Sequence, residues 1–159
     1  MSRVYTVTFS GVAVTGAQDL VYVKNAAASN KLLKILRRWV SATDNTVPTG
    51  QMIQLRERRL PATVTDPSSQ GSSPTPAPRD GGDAAATFTS MANATTKATT
   101  TGTVQVLYET GCHIFNGFDD IHDEPPTIAP GQSYVFELLT TTVTGTVHLS
   151  GGVEVEEIG

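Results

Sequence analysis

Most apolar stretches of this sequence alternate large apolar with polar residues, which is the two-residue period of a half-buried β-strand. In the first stretch Tyr5, Val7 and Phe9 would share one face, and the threonines between them would share the other. Further stretches suited to strands, rich in Val, Thr and aromatic residues, lie at 19–23, 51–57, 103–109, 134–138, 146–150 and 153–156. Glycines stand between several of them, where turns are expected. Short strands separated by turns predict an all-β fold, either a β-sandwich or a barrel.

One segment, residues 31–40, fits two descriptions. Leu32, Ile35 and Trp39 follow the spacing of the apolar face of an amphipathic helix. Read as a strand, the same segment would place Leu33, Ile35 and Trp39 on one face. The local pattern favours a helix, whereas the β surroundings favour a strand. The strand is the preferred prediction.

Residues 61–102 interrupt the strand pattern with five prolines and many small residues. Proline cannot donate to a strand ladder, so 61–83 should contain neither a central strand nor a helix. A linker would need an independent domain on each side, but residues 1–60 alone would bury too little apolar surface to offset the lost chain entropy. The sequence therefore predicts a single domain over 1–159 with a long Pro/Gly/Thr-rich excursion, in which ATFTSM (86–91) could add an edge strand.

Charge is distributed unevenly along the chain. Residues 1–60 carry nine basic and three acidic side chains, whereas residues 61–159 carry two basic and twelve acidic ones, and the net charge is −4. The acidic total argues against a nucleic-acid binder. Two interpretations remain: ion pairs within one fold, or a basic face of one subunit against an acidic face of its neighbour. Pairing within the fold is preferred.

The cysteine content and the hydropathy of the sequence indicate the cellular compartment in which the protein is made. Cys112 is the single cysteine, so an intrachain disulfide is excluded, and we expect this side chain to be a small core residue. No apolar run approaches the length of a membrane span, and the opening residues lack the apolar core of a secretory signal. We expect a protein made in a cytoplasm, without a membrane partner.

The richest polar cluster is FDDIHDEPP, which contains Asp119, Asp120, His122, Asp123 and Glu124. Carboxylates beside a histidine could bind a divalent metal, so a metal-dependent enzyme centred on 119–124 is one possible function. The spacing matches neither an EF-hand loop nor HExxH, and the prolines favour a solvated loop. No G-x-S-x-G elbow and no phosphate-binding glycine loop occurs. The sequence therefore predicts no enzyme: no catalytic residue, no metal site and no cofactor.

Five segments of the sequence are informative when taken together: VYTVTFSGVAVTGAQDLVYVKN (4–25), RDGGDAAATF (79–88), NATTKATTTGT (93–103), IAPGQSYVFEL (128–138) and TGTVHLSGGVEVEEIG (144–159). They resemble a family of small virion proteins of tailed bacteriophages. That family begins with a similar strand–SGV–V–AQDL pattern and ends on a strand closing with EEIG. It also has a Pro/Gly/Asp-Ala-Ala segment, an Asn-Thr-Thr-rich approach to a strand, and a Pro-Gly turn before a late strand. The sequence departs from the pattern at KLLKILRRWV and at FDDIHDEPPT, where a more polar strand and a basic, aromatic loop are expected.

The resemblance implies a single β-sandwich, jelly-roll-like, that acts as a capsid cement (decoration) subunit on the virion surface, after synthesis in the host bacterial cytoplasm. Its partners would be the major capsid protein, further copies of itself, or both, giving a homo-oligomer on the particle without direct nucleic-acid binding. Other interpretations are a phage tail or fibre component and a carbohydrate-binding adhesin module. The resemblance to virion proteins implies no catalytic residues.

Two segments are the predicted contacts with a partner. The excursion is poor in large apolar residues, so 66–95 is expected to be mobile in a free subunit and ordered on docking. Its strand-like ATFTSM would offer free backbone groups to a neighbour. The basic strand end at 56–59 is the second candidate. The predicted contact residues are Arg56, Arg58, Arg59, Pro74, Pro76, Pro78 and Phe88.

Overall fold

A computed structural model describes residues 2–44, 49–69 and 71–159, and all regular secondary structure in these residues is β. The all-β prediction is therefore confirmed. Within the described residues there is also no helix of the length and hydropathy needed to cross a membrane. The strands are β1 (Ser2–Val14), β2 (Gln18–Lys24), β3 (Leu32–Ala42), β4 (Met52–Leu60), β5 (Val64–Thr65), β6 (Ala77–Pro78), β7 (Thr89–Ala94), β8 (Thr99–Thr100), β9 (Gln105–His113), β10 (Phe118–Ile121), β11 (Thr127–Ile128), β12 (Ser133–Leu138) and β13 (Val147–Ile158).

The strands form two large antiparallel sheets. The first has the order β10-β3-β13-β1-β6, with β11 also paired to β3, and the second has the order β7-β2-β12-β4-β9. The short strands β5 and β8 pair with each other. Strands that precede residue 61 and strands that follow residue 104 are neighbours in both sheets, so both parts of the chain line the same core.

The alternating residues of the sequence supply the core between the two sheets. Tyr5 and Val7 of β1 and Val153 of β13 are fully buried there, together with Phe136 of β12 from the opposite sheet. β2 and β12 are buried on both faces. Their outer faces are covered by the excursion, where a smaller apolar cluster joins Tyr22, Leu60, Ala98 and Val135.

Residues 32–42 form a strand, so the preferred interpretation of this segment is confirmed. The prediction of which side chains share a face of this strand is wrong beyond Ile35. A register shift against β13 between Glu154 and Val155 places Ile35 opposite Val155 and Arg37 opposite Glu154, which leaves Leu36 as an extra residue. Because a bulge reverses the alternation, Arg38 points inward and Trp39 lies with Arg37 on the outer face.

The central pair of the first sheet joins the two ends of the chain. β1 and β13 pair from Ser2 opposite Ile158 to Val14 opposite Val147. The two stretches predicted at 146–150 and 153–156 form one continuous strand through Gly151 and Gly152. A Cβ at either glycine would collide with a neighbouring backbone oxygen, so the close packing of this strand between β1 and β3 requires glycine there.

The excursion folds back on the two sheets. It contains only two-residue strands before residue 89, and Pro78 stands on the outermost strand β6. β7 is the end strand of the second sheet, so an edge strand forms as predicted for 86–91, but it spans Thr89–Ala94 and pairs with β2. Its other edge bonds to the excursion itself: Ala92 N donates to Ser72 O and Ser72 N donates to Ala92 O, at 2.8 and 2.9 Å.

The predicted solvated loop at 118–126 is also wrong in part. Phe118–Ile121 is strand β10, which pairs with β3, and Thr127 and Ile128 pair with the same strand as β11. His122 N donates to Leu36 O at 2.9 Å. The bulge at Leu36 and this acidic segment therefore meet, and the β10 side chains alternate between the core and solvent.

Candidate interaction surface

The outermost strands β9 and β10 lie on the same side of the molecule and are joined by the turn at 114–117. Their proximity is fixed by the rings of Tyr108 and Phe118, whose centroids are 6.4 Å apart. We call β9, β10 and their connecting turn the open side. Among the described residues, no strand pairs with the second edge of β9 or of β10.

Exposed apolar side chains concentrate on the open side. The described part of the chain exposes seven large apolar residues, and only Leu32 lies away from this region. The other six are Met52, Val104, Val106, Tyr108, Phe115 and Ile121. Met52 belongs to the group because it stands opposite His113 on the neighbouring strand. Exposed apolar residues scattered singly need no explanation, whereas a cluster of them beside unpaired strand edges makes the open side a candidate interaction surface.

Beneath the open side lies a buried ionic cluster that joins the two sheets. Arg38 of β3 is fully buried, and its Nε contacts the carboxylate of Glu57 on β4. Its Nη1 lies 2.6 Å from Asp120 Oδ2 on β10. His122 completes the cluster, with Nε2 3.2 Å from Glu57 Oε2 and 3.0 Å from Arg38 Nη1. The guanidinium also lies 4.6 Å from the Tyr108 ring centre, within range of a cation–π contact.

The cluster holds His122 in its neutral form at neutral pH. Burial is the main cause, and the positive charge of Arg38 adds to it, so the pKa of His122 falls to about 4 despite the carboxylate of Asp120. In the neutral imidazole, Nε2–H can donate to Glu57 Oε2, which leaves Nδ1, 3.4 Å from Arg38 Nη1, as the acceptor. The arrangement is a charged clamp between the sheets, because each charged group in it has an oppositely charged partner.

The acidic segment offers little to a metal ion in this arrangement. Asp119 is bound by Arg37, with Nη2 2.5 Å from Oδ2, and Asp120 is bound by Arg38. Among the described residues, no group of three or more His, Cys, Asp or Glu side chains is placed to hold a metal ion. The geometry therefore lends no support to a metal-dependent enzyme at 119–124.

On the opposite side of the molecule the excursion covers part of the strand edges. There β6 pairs with β1 at Tyr5 and Thr6, and β7 pairs with β2 along most of its length. The outer edge of β7 is bonded in turn to Ser72 at Ala92, and just beyond β7 Thr96 N donates to Ser68 O at 3.0 Å. We call the edges of β1 and β2, with the excursion that covers them, the covered side.

A second charged group lies on the outer face of the second sheet, under the excursion. Asp19 is 1% exposed and accepts from Ala98 N at 2.7 Å. Arg58 lies 3.3 Å from Asp19 Oδ1 and 2.9 Å from Glu137 Oε1, and Lys97 Nζ lies 2.8 Å from Glu137 Oε2. Burial raises the pKa of Asp19 to about 6, although the Ala98 amide and Arg58 oppose the shift.

Ion pairs between the early basic and the late acidic residues account for much of the charge asymmetry. Examples on both sides of the molecule are Arg38 with Asp120, Lys31 with Glu157 and Arg58 with Glu137. The preferred interpretation, pairing within one fold, is confirmed.

The predicted contact residues of the basic strand end are engaged inside the fold. Arg58 is 8% exposed, and Arg56 Nε lies 2.5 Å from Glu137 Oε1. Arg59 binds Gln105 and donates to Thr127 O at 2.9 Å. Arg56 and Arg59 keep part of their surface, whereas Arg58 keeps little, because residues 97–98 of the excursion lie over it.

The predicted contact residues of the excursion fall into two groups. Pro78 is exposed and Pro74 and Pro76 are half-buried, so these three remain at the surface of the covered side. Phe88 is 4% exposed, and its ring packs edge-on against Tyr5 with centroids 5.6 Å apart. We therefore assign Phe88 to the core rather than to a contact surface.

Sequence reasoning missed the two features that define the open side. Arg38 and Glu57 are far apart in the chain, and no local pattern pairs them. The exposed residues of β9 did carry a signal, since Val104 and Val106 alternate with polar residues outside the family-like segments. A scan against protein-family models, a search of curated proteins and a search of solved structures each returned no match to this chain.

Proposed function

We propose that this chain is a structural protein of a tailed-bacteriophage virion, a capsid cement (decoration) subunit that assembles through its open side. The observation that carries the proposal is that six of the seven exposed large apolar residues in the described part of the chain lie on the open side or next to it, with Met52 on the neighbouring strand and Val104 directly before β9. In such a role the subunit needs contact surface rather than a catalytic group. Repetition of the same contact over a shell multiplies a modest affinity.

The order of the strands supports a jelly-roll-like β-sandwich. If the strands of the excursion and the two-residue strand β11 are set aside, the sheets read β10-β3-β13-β1 and β2-β12-β4-β9. Eight strands in two four-stranded antiparallel sheets, with the first strand beside the last, are typical of the jelly roll. Viral capsid proteins and lectins both use this architecture, so the topology favours a binding or assembly module without choosing between them.

The proposed location of the protein on the virion rests on the resemblance to phage virion proteins. Its two most extensive segments, at 4–25 and 144–159, contain β1 and β13, which pair with each other in the centre of the first sheet. These motifs are thus explained by packing, and the contact surface lies elsewhere. Proposed partners are the major capsid protein and further copies of this chain, and the proposed location is the capsid surface.

The test uses the phage whose genome encodes the chain. Quantitative mass spectrometry of gradient-purified particles should find the protein at many copies per particle, and particles that lack it should release DNA at a lower temperature. Complementation with Val106→Asp/Phe115→Asp should lose most of the occupancy, because charge would be introduced into the apolar surface. The matched control is Leu32→Asp, which alters the one exposed large apolar residue away from the open side and should retain occupancy. Purified particles without the protein would overturn the proposal.

A carbohydrate-binding adhesin is the second candidate, favoured by one pocket. A shallow cavity of about 200 Å³ adjoins the outer face of β3 and is lined by Trp39, Ser41, Asn116 and Asp119, among others. An aromatic ring with nearby amide and carboxylate groups is a common arrangement in sugar sites. Arg37 already lies 5.2 Å from the Trp39 ring centre. Because Trp39 is the only tryptophan, titration with host cell-wall oligosaccharides can be followed by its fluorescence. Saturable quenching that Asn116→Ala abolishes would favour the adhesin.

A further inference from the structure

We infer that the β9 edge of the open side pairs with β9 of a second copy of this chain, antiparallel and centred on Gly111. The inference rests on the proposed assembly function and names the partner of that surface. It joins two five-stranded sheets into one continuous sheet across a two-fold axis. Pairing of unpaired edges is a general way in which sheets associate.

The backbone groups of β9 that are free to pair can be identified from its register. Ile114 N donates to Gln51 O at 3.0 Å, so Ile114 forms a hydrogen-bonded pair with β4. Bonded pairs alternate along an antiparallel ladder, which assigns Cys112 and Thr110 to the bonds with β4. Glu109, Gly111 and His113 therefore direct their N–H and C=O groups away from the sheet. His113 O already accepts from Asn116 N at 3.0 Å, and a carbonyl oxygen has a second lone pair.

Charge and size make this edge complementary to itself in one register. With Gly111 opposite Gly111 of the second copy, Glu109 stands opposite His113 of that copy, and the reverse pair follows by symmetry. Each imidazole can then donate to a carboxylate, and no like charges face each other. Centring the pair on Glu109 instead would place two carboxylates directly opposite each other.

Gly111 fits the axis position because its side-chain space is open. A Cβ there would meet only Ile53 O at 3.6 Å and the Met52 methyl at 3.8 Å, which are ordinary contacts. The fold itself therefore does not require glycine at this position. Glycine does allow the closest approach where a strand meets its own symmetry mate.

The same register brings exposed apolar residues together. Phe115, just beyond the end of β9, comes to lie near Leu107 and Val106 of the second copy. Phe115 and Val106 are 52% and 53% exposed in the single chain. Their approach across the axis removes apolar surface from water, which adds to the backbone bonds.

The main experiment is disulfide trapping of the register. In a Cys112→Ser background, Gly111→Cys should cross-link to itself under mild oxidation, because directly opposed Cα atoms of a bonded pair lie about 5.5 Å apart, within disulfide range. Glu109→Cys and His113→Cys should each give no cross-linked dimer alone and should cross-link to each other when mixed. Self-cross-linking of Thr110→Cys with none by Gly111→Cys would place the axis elsewhere and overturn the inference.

A second measurement does not depend on cysteine chemistry. In sedimentation velocity across a concentration series, wild-type protein should form dimers, and Gly111→Lys should raise the dissociation constant about tenfold or more, because two ammonium groups would face each other. Gly81→Lys is the matched control, since a Cβ there meets nothing within 4 Å and Gly81 lies on the excursion. A wild-type protein that stays monomeric and gives none of the cross-links overturns the pairing. Recovery of the same protein on purified particles would still support the assembly function.

Discussion

The covered side and the open side differ in whether other residues of the chain pair with their outermost strand edges. On the covered side the excursion supplies β6 to part of the edge of β1 and β7 to the edge of β2, and Ser72 then bonds to β7 at Ala92. On the open side no strand among the described residues pairs with the second edge of the nine-residue strand β9. Under the proposed function, this difference would direct association to the open side.

The two sides also differ in how they use charge. The open side encloses a cluster in the core, where Arg38 and Glu57 face each other across the two sheets. On the covered side, Asp19 lies on the outer face of one sheet and is shielded by the excursion through Ala98. The first arrangement holds two sheets together, whereas the second holds a surface segment in place.

The largest expected effect comes from breaking the charged clamp. Arg38→Met would leave the buried carboxylate of Glu57 without its guanidinium and should lower the free energy of unfolding by about 3–5 kcal/mol. Arg37→Met is the matched control, since it removes an exposed pair with Asp119 and should cost about 1 kcal/mol or less. Urea unfolding monitored by fluorescence measures both changes.

A double variant separates the cost of an orphaned charge from the loss of packing. Arg38→Met/Glu57→Leu removes both partners and should recover most of the lost stability, because an apolar pair of similar volume can replace an ion pair in a core. Equal urea midpoints for Arg38→Met and Arg37→Met would mean that the cluster is hydrated, contrary to the burial described above.

Truncation of one phenylalanine on each side compares how strongly the two sides are packed. Phe88→Ala should cost about 3 kcal/mol, because it removes a core ring that packs against Tyr5. Phe115→Ala, on the open side, should change the free energy of unfolding by no more than about 0.5 kcal/mol at protein concentrations that keep the chain monomeric. Thermal unfolding of the two variants beside wild type is sufficient. If the two losses were similar, the excursion would not be packed as described.

The pH dependence of stability should have opposite signs on the two sides. The pKa of Asp19 is raised to about 6, so between its usual value near 3.8 and pH 6 the folded state binds a proton more tightly than the unfolded state. This term weakens folding as the pH rises. The pKa of His122 is lowered to about 4 from 6.5, so between these values the unfolded state binds the proton more tightly. This second term strengthens folding as the pH rises.

Single variants should reveal each term as a difference from wild type. From pH 4 to pH 6, Asp19→Asn should gain about 2 kcal/mol of stability relative to wild type, and His122→Gln should lose about 2 kcal/mol relative to wild type. Urea unfolding across this pH range gives both slopes. Parallel curves for a variant and wild type would mean that the group in question titrates alike in the folded and unfolded chain.

The smallest expected effect is local and is measured by hydrogen exchange. In dilute protein the amides of Ala92 and Thr96 should exchange at least about tenfold more slowly than those of Glu109 and Gly111, because the first two donate to Ser72 and Ser68. Protection of Gly111 should appear as the protein concentration rises. Fast exchange throughout 89–96 would instead restore the expectation of a mobile excursion.

The local sequence pattern was sufficient to predict where strands form, but not how the strands pair with one another. The alternation of Tyr5, Val7 and Phe9 predicted β1 because each choice of face depends only on neighbours along the chain. Trp39 was placed on the wrong face because the bulge at Leu36 is set by the pairing of β3 with β13, which sequence alternation does not encode.

The charged clamp and the pairing of the excursion with the strand edges could not be predicted either, because both depend on contacts between residues distant in the sequence. Arg38 meets Glu57 only because two different sheets face each other, and nothing near either residue specifies the other. The small residues of the excursion predict mobility because they bury little surface on their own. The backbone bonds to β2 and within the excursion, which composition does not reveal, predict slow exchange instead.

The pairing of β1 with β13 has a consequence for how the protein is made on the ribosome. The centre of the first sheet joins Ser2 with Ile158, so its partner strands are separated by nearly the whole described chain. Closing so long a loop is slow compared with forming local contacts. During translation the edge of β1 that pairs with β13 stays unpaired until β13 has been synthesised. Completion of this sheet therefore depends on β13, and β1 is the strand that waits longest for its partner.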